Sequence, residues 1–175
     1  MEVARWGRGW PARWCQLTKG GAPVCGTTGL FHVGITVRDL DRSLAFYRGA
    51  LGLEVDWDQV IDRDSTRELV GVPFSRLRCA FLALPGGGAL EILEYEGVTG
   101  RDLDWTPSDH GAGHLCLWVA DLDEVVSRAR ELGGVTIAVA PVTVPGGRYE
   151  GARVVYLRDP DGFLLELIEP APAAS

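Results

Sequence analysis

The same pattern occurs twice in this chain. Residues 32–41 read His-Val-Gly-Ile-Thr-Val-Arg-Asp-Leu-Asp, and residues 114–123 read His-Leu-Cys-Leu-Trp-Val-Ala-Asp-Leu-Asp. Each copy closes on an apolar stretch carrying one carboxylate: Ala89-Leu90-Glu91-Ile92-Leu93, and Leu164-Leu165-Glu166-Leu167-Ile168. His114 follows His32 by 82 residues, and Glu166 follows Glu91 by 75. A seven-residue deletion in the middle loop of the second copy accounts for the difference. Two modules that fold alike place equivalent residues at points related by a pseudo-twofold axis, so the repeat constrains both architecture and side-chain placement.

Hydrophobic periodicity gives each copy the order βαβββ. In the first, Phe31–Val37 alternates as a strand. Asp39 or Asp41 then caps a helix over 41–51, with an apolar stripe of Leu40, Leu44, Tyr47 and Leu51 ending at Gly52. Strands are predicted over 53–60, 76–84 and 89–95, with a charged loop or short helix at 61–75 and a Pro85-Gly86-Gly87-Gly88 turn. The second copy repeats this with strands over 113–119, 135–140, 152–157 and 163–169. Its helix is capped by Asp121 or Asp123 and ended by Gly133-Gly134, and its last turn is Asp159-Pro160-Asp161-Gly162. In the closing hairpins Phe81 lies ten residues before Glu91, and Tyr156 ten before Glu166. The predicted organisation is a poorly ordered leader (1–28), a first module (29–96), a linker (97–112), a second module (113–170) and a tail (171–175). The class is α+β, two tandem βαβββ modules curled around a metal-holding cavity.

Strand alternation assigns faces. Val33, Ile35 and Val37 must pack under the first helix, so His32, Gly34 and Thr36 point the other way. Leu115, Leu117 and Val119 do the same in the second module, turning His114, Cys116 and Trp118 outward. Leu90 and Ile92 pack while Glu91 turns out, and Leu165 and Leu167 pack while Glu166 turns out. Two of the three histidines and two carboxylates flanked by apolar residues thus share one face in matching copies. A carboxylate in such surroundings is costly to leave unpaired, and a divalent cation removes that cost. His32, Glu91, His114 and Glu166 are therefore the candidate metal ligands. His110 has no repeat partner and reads as a loop residue. Arg148 and Tyr149, after Pro145-Gly146-Gly147, read as a loop tip within reach of the cavity mouth.

Charge and composition exclude other classes. The net charge is −7, with residues 1–28 at +3 and the remainder at −10; an acidic body argues against nucleic acid or anionic membrane as partner. No apolar run is long enough to span a bilayer, and Trp6, Trp10 and Trp14 among Gly, Arg and Pro do not form a signal-peptide core. Cys79 and Cys116 lie in apolar strand patterns and read as buried free thiols, while Cys15 and Cys25 in the leader have no framework spacing. A reducing cytoplasm is the expected compartment. Neither a Gly-x-Ser-x-Gly elbow nor a phosphate-binding Gly-Lys-Ser/Thr loop is present.

His32-Val33-Gly34-Ile35-Thr36-Val37 with Asp39-Leu40-Asp41 and Phe46-Tyr47 resembles the opening of the vicinal-oxygen-chelate superfamily. Gly113-His114-Leu115, Asp121-Leu122-Asp123, Asp159-Pro160-Asp161-Gly162-Phe163 and Glu166-Leu167-Ile168-Glu169 resemble its second module. The superfamily includes glyoxalase I, methylmalonyl-CoA epimerase, extradiol dioxygenases, fosfomycin-resistance thiol transferases and bleomycin-binding proteins. The resemblance implies a metal chelated by vicinal oxygens of the substrate. His32, Glu91, His114 and Glu166 are similar to the bacterial glyoxalase I ligand pattern.

That ligand set suits an octahedral divalent ion such as Ni, Co, Mn or Fe, with Zn also compatible. The expected reaction is of the lyase/isomerase or epimerase type on a small substrate with vicinal oxygens, passing through an enediolate or enolate, with Glu166 or Glu91 as the base. Two alternatives stay open: Fe(II) extradiol ring cleavage by His32, His114 and Glu166, and a non-catalytic drug-binding protein of the bleomycin-resistance kind. A homodimer is the expected assembly.

Overall fold

Each module begins with a strand that holds a histidine at its start and leads into a capped helix. The computed structural model describes residues 29–172; the leader and the last three residues of the tail lie outside them. Strand β1 (His32–Thr36) runs into helix α1 (Leu40–Leu51), where the Asp39 carboxylate accepts from the Arg42 backbone N–H. Gly52 ends the helix in the left-handed region (φ 65°), as C-terminal glycines do. Strand β2 (Val55–Ile61), helix α2 (Asp64–Val70), β3 (Arg76–Ala83) and β4 (Ala89–Glu96) complete the first module. The second contains β5 (His114–Trp118), α3 (Leu122–Glu131, capped by Asp121), β6 (Val135–Thr136), β7 (Val142–Thr143), β8 (Arg153–Arg158) and β9 (Leu164–Glu169).

The charged stretch after β2 contains a short helix, held by Arg67. Its guanidinium reaches Asp62, Asp64 and the carbonyls of Phe74 and Ser75, and lies 5.0 Å from the centre of the Phe74 ring. The strand expected over 135–140 is instead two residues long. The chain leaves β8 after Ile137 and returns at Val142, past Pro141, which has no N–H to offer a ladder.

The sheets share one topology. The first has order β1-β4-β3-β2 and the second β5-β9-β8-β6, with β7 also on β8. β1 lies parallel to β4 in the register Gly34 to Glu91, and β5 parallel to β9 in the register Cys116 to Glu166. The inward faces meet in one core that includes Ile35, Phe46, Tyr47, Leu90 and Ile92 with Leu122, Val126, Leu157, Leu165 and Leu167.

The modules meet through their helices. Gly49 and Gly134 permit the approach: a Cβ on Gly49 would fall 2.7 Å from Leu132 Cδ1, and one on Gly134 3.0 Å from the Phe46 ring. A glycine inside a helix costs about 1 kcal/mol relative to alanine, which here is the condition for close packing of α1 on α3. A polar latch sits beside this contact. The buried Tyr47 hydroxyl donates to Asp159 Oδ2 at 2.8 Å. Arg38 and Arg42 donate to Asp161 at 2.8 and 2.7 Å, and Arg38 also donates to the Pro160 carbonyl. Burial raises Asp159, with the Tyr47 hydroxyl and two backbone N–H groups opposing it. Burial works the same way on Asp161, but Arg42 and Arg38 outweigh it and hold that carboxyl below its usual range.

Candidate functional site

The alternation read from sequence holds in both modules. Leu90, Ile92, Leu165 and Leu167 are fully buried, whereas Glu91 and Glu166 are only partly covered. His32 and His114 stand beside them on the faces turned away from the helices. His32 Nε2 lies 3.2 Å from Glu91 Oε2, and His114 Nε2 lies 3.0 Å from Glu166 Oε2. The register explains this: each histidine is two residues before the residue paired with its glutamate.

These pairs fit a divalent ion. Two ligand atoms about 2.1 Å from an octahedral metal and 90° apart are about 3.0 Å from each other. Room is provided as well, because a Cβ on Gly34 would lie 3.2 Å from Glu91 Oε2. Each pair nevertheless offers only two ligands. Among the described residues no group of three or more His, Cys, Asp or Glu side chains is placed to hold a metal ion. The four sequence-predicted residues are thus brought together as two His–Glu pairs, one per module, each able to supply half of a metal site. The helices dock the modules back to back, and the strands that carry the histidines, β1 and β5, lie at the open edges of their sheets.

The half-sites differ in their surroundings. His32 is ringed by aromatic carbon, with the Phe31 and Phe81 rings edge-on at 4.6 and 5.5 Å and Trp57 stacked on Phe81 at 4.4 Å. Its Nδ1 is buried without a hydrogen-bond partner. Burial raises Glu91, with His32 opposing. In the second module Tyr156 replaces Phe81 and Cys116 replaces Gly34. The Tyr156 hydroxyl is 3.5 Å from His114 Nε2. Burial, then the adjacent Glu166 carboxylate, pushes this phenol up to about 12 and the Cys116 thiol up to about 11. Both groups are therefore protonated at neutral pH and place O–H and S–H beside the Glu166 carboxylate.

Cys116 is exposed, against the expectation of burial, because it lies on the ligand face of an edge strand; Cys79 is a buried free thiol as expected. The Phe81/Tyr156 register was visible in the repeat, and with it the signal for an added hydroxyl beside His114. His110 lies exposed in a turn of the linker.

Residues 29–167 match the Glyoxalase/Bleomycin resistance protein/Dioxygenase superfamily. The chain belongs to this superfamily. A 2-epi-5-epi-valiolone epimerase from Actinomyces is 34% identical over 157 residues, covering 87% of this chain and 86% of that protein. A putative lactoylglutathione lyase from Brassica oleracea is 30% identical over 144 residues, covering 81% of this chain; the chain spans only 44% of that relative's length. The fold is similar to that of a glyoxalase family protein from Bacillus cereus, with a TM-score of 0.72 at 19% identity over 87% of this chain and all of that one. Glyoxalase-superfamily relatives thus include epimerases and lyases acting on small molecules. No helix of the described residues is long and apolar enough to cross a membrane.

Proposed function

We propose that this chain is a metal-dependent epimerase of small hydroxylated ketones, working as a homodimer whose sites each join the His32/Glu91 pair of one copy to the His114/Glu166 pair of the other. The carrying observation is the pair of His–Glu half-sites at the spacing of neighbouring metal ligands, with two ligands apiece. A two-ligand site is weak for Ni, Co, Mn, Fe or Zn, while two facing half-sites supply four ligands and leave two positions for vicinal substrate oxygens. The open edges of β1 and β5 are where a second copy can bring the halves together. When bound, a divalent cation supplies Lewis-acid stabilisation of enediolate charge.

Epimerisation needs a proton removed from one face of a carbon and returned to the other. In the shared site Glu91 comes from one copy and Glu166 from the other, so the two carboxylates can serve opposite faces of that carbon. Glu91 is suited to take the proton: among the described residues it has no donor beyond His32, apolar rings surround its half-site, and burial raises its basicity. Glu166 enters the cycle carrying a proton from solvent, gives it to the other face and is left as the carboxylate, while Glu91 releases the proton it took to solvent. The epimerase relative, matched over most of both chains, favours this chemistry over the lyase reaction, which uses the same proton transfer on a different substrate. Glu91 at ligand spacing beside His32 disfavours the three-ligand arrangement of extradiol cleavage.

Incubation of the metal-loaded protein with 2-epi-5-epi-valiolone in D2O, followed by NMR, tests the proposal. Deuterium at a carbon next to the carbonyl, together with a second epimer, is the expected result, with Glu91→Gln abolishing both. Turnover of an α-ketoaldehyde–glutathione adduct without ketone exchange would instead make the chain a lyase. Oxygen uptake with catechols, or purification without metal, would overturn the reading altogether.

A further inference from the structure

The outward face of β5 continues past the half-site to Trp118. Cys116 pairs with Glu166, and Trp118 is the next residue on the same face, roughly 7 Å further along the strand. The residue is 58% exposed, although a tryptophan is ordinarily well covered. The Tyr149 ring meets it edge-on, with centroids 5.8 Å apart, and the Arg148 guanidinium caps Tyr149 at 5.7 Å.

This arrangement is built into the backbone. Residues 144–152 close on themselves through hydrogen bonds from Val144 to Ala152, Gly151 to Val144, Ala152 to Tyr149 and Glu150 to Gly147. Gly147 and Gly151 supply the positive φ angles of 87° and 81° that the turns require. Arg148 has no ion-pair partner among the described residues, unlike the arginines of the latch. The first module has Thr36 where the second has Trp118, so the platform occurs in one half of the duplication only.

We infer that Trp118, Tyr149 and Arg148 form a substrate subsite that stacks a polyhydroxylated six-membered ring against the indole while the guanidinium donates to oxygens on the ring's outer edge. The inference rests on the proposed ketone chemistry at the adjacent half-site. Such a ring presents axial C–H groups on its face and oxygens on its rim, which matches an aromatic surface bordered by N–H donors. The distance from the Glu166 row to Trp118 is about the width of one such ring. A platform on one half alone also gives a pseudo-symmetric site a single substrate orientation.

Scyllo-inosose, a hydroxylated cyclohexanone, and dihydroxyacetone, an open-chain α-hydroxyketone, are the two probes. Saturation-transfer NMR on the full chain is expected to show transfer from aromatic protons to the ring protons of the inosose, with and without added metal. Trp118→Ala should weaken inosose binding about ten-fold, leave dihydroxyacetone within two-fold, and leave metal content unchanged. Trp118→Phe should recover most of the loss, and Arg148→Ala should weaken only the ring probe. Equal loss for both probes in Trp118→Ala, or no loss for either, would overturn the subsite. Deuterium exchange without ring selectivity would sink the subsite and spare the proposed reaction; ring-selective binding by a protein that takes up no metal and catalyses no exchange would do the reverse.

Discussion

Complementation between two inactive variants tests whether the metal site spans two copies of the chain. One variant removes the first half-site (His32→Ala with Glu91→Ala), and the other removes the second (His114→Ala with Glu166→Ala). Each homodimer then has two sites with two ligands apiece, too few for tight binding. The structure puts both half-sites on faces away from the module interface, so neither change disturbs the core. In a mixed dimer, twofold symmetry collects all four substitutions in one site and leaves the other complete. Random reassortment of equal amounts makes about half the dimers mixed, and half the sites in those are intact, so about a quarter of wild-type metal and exchange activity should return. Elemental analysis before and after co-refolding measures this. Recovery near zero with mixed dimers verified by mass would refute the shared site, as would full metal content in either variant alone.

Two further outcomes follow from the packing. Tyr47→Phe removes a donor to the buried Asp159 carboxylate, which is worth about 1.5–3 kcal/mol, or a fall in Tm of about 3–12 °C by thermal denaturation. Asp159 already binds its proton more tightly folded than unfolded, so ionising it costs stability as pH rises; losing Tyr47 extends that window upward, and the variant's deficit should shrink on acidification. A deficit constant from pH 4 to 8 would count against this account. Gly34→Ala should act in opposite directions on two readouts. It stabilises the strand by about 0.5–1 kcal/mol. It also crowds Glu91 Oε2, lowering metal affinity by about ten-fold. Unchanged affinity in a calorimetric titration would show that the glycine has no role at the site.

The elements that positioned the candidate ligands were legible because their signals are local. Asp39 and Asp121 cap the helices as N-cap residues do, and the alternation of Val33, Ile35 and Leu90, Ile92 fixes which way His32 and Glu91 face. The misreadings occurred where neighbours decide. The strand over 135–140 stopped short because the chain leaves β8 after Ile137 and rejoins it only at Val142, and Cys116 lies exposed because β5 has no neighbour on one side. Trp118 and Tyr149 are 31 positions apart, and nothing near either residue indicates their contact.

From sequence alone came the duplication, the βαβββ order, and two histidine–carboxylate pairs on matching faces, since side-chain direction in a strand depends only on position along it. How the modules dock was decided by contacts between distant residues: Gly49 against Leu132, Tyr47 on Asp159, and Arg38 and Arg42 on Asp161. Those contacts join the helices and turn the two His–Glu faces apart, so that one chain carries two separate His–Glu pairs. Local periodicity contains no information about that choice, because either docking would bury the same apolar stripes.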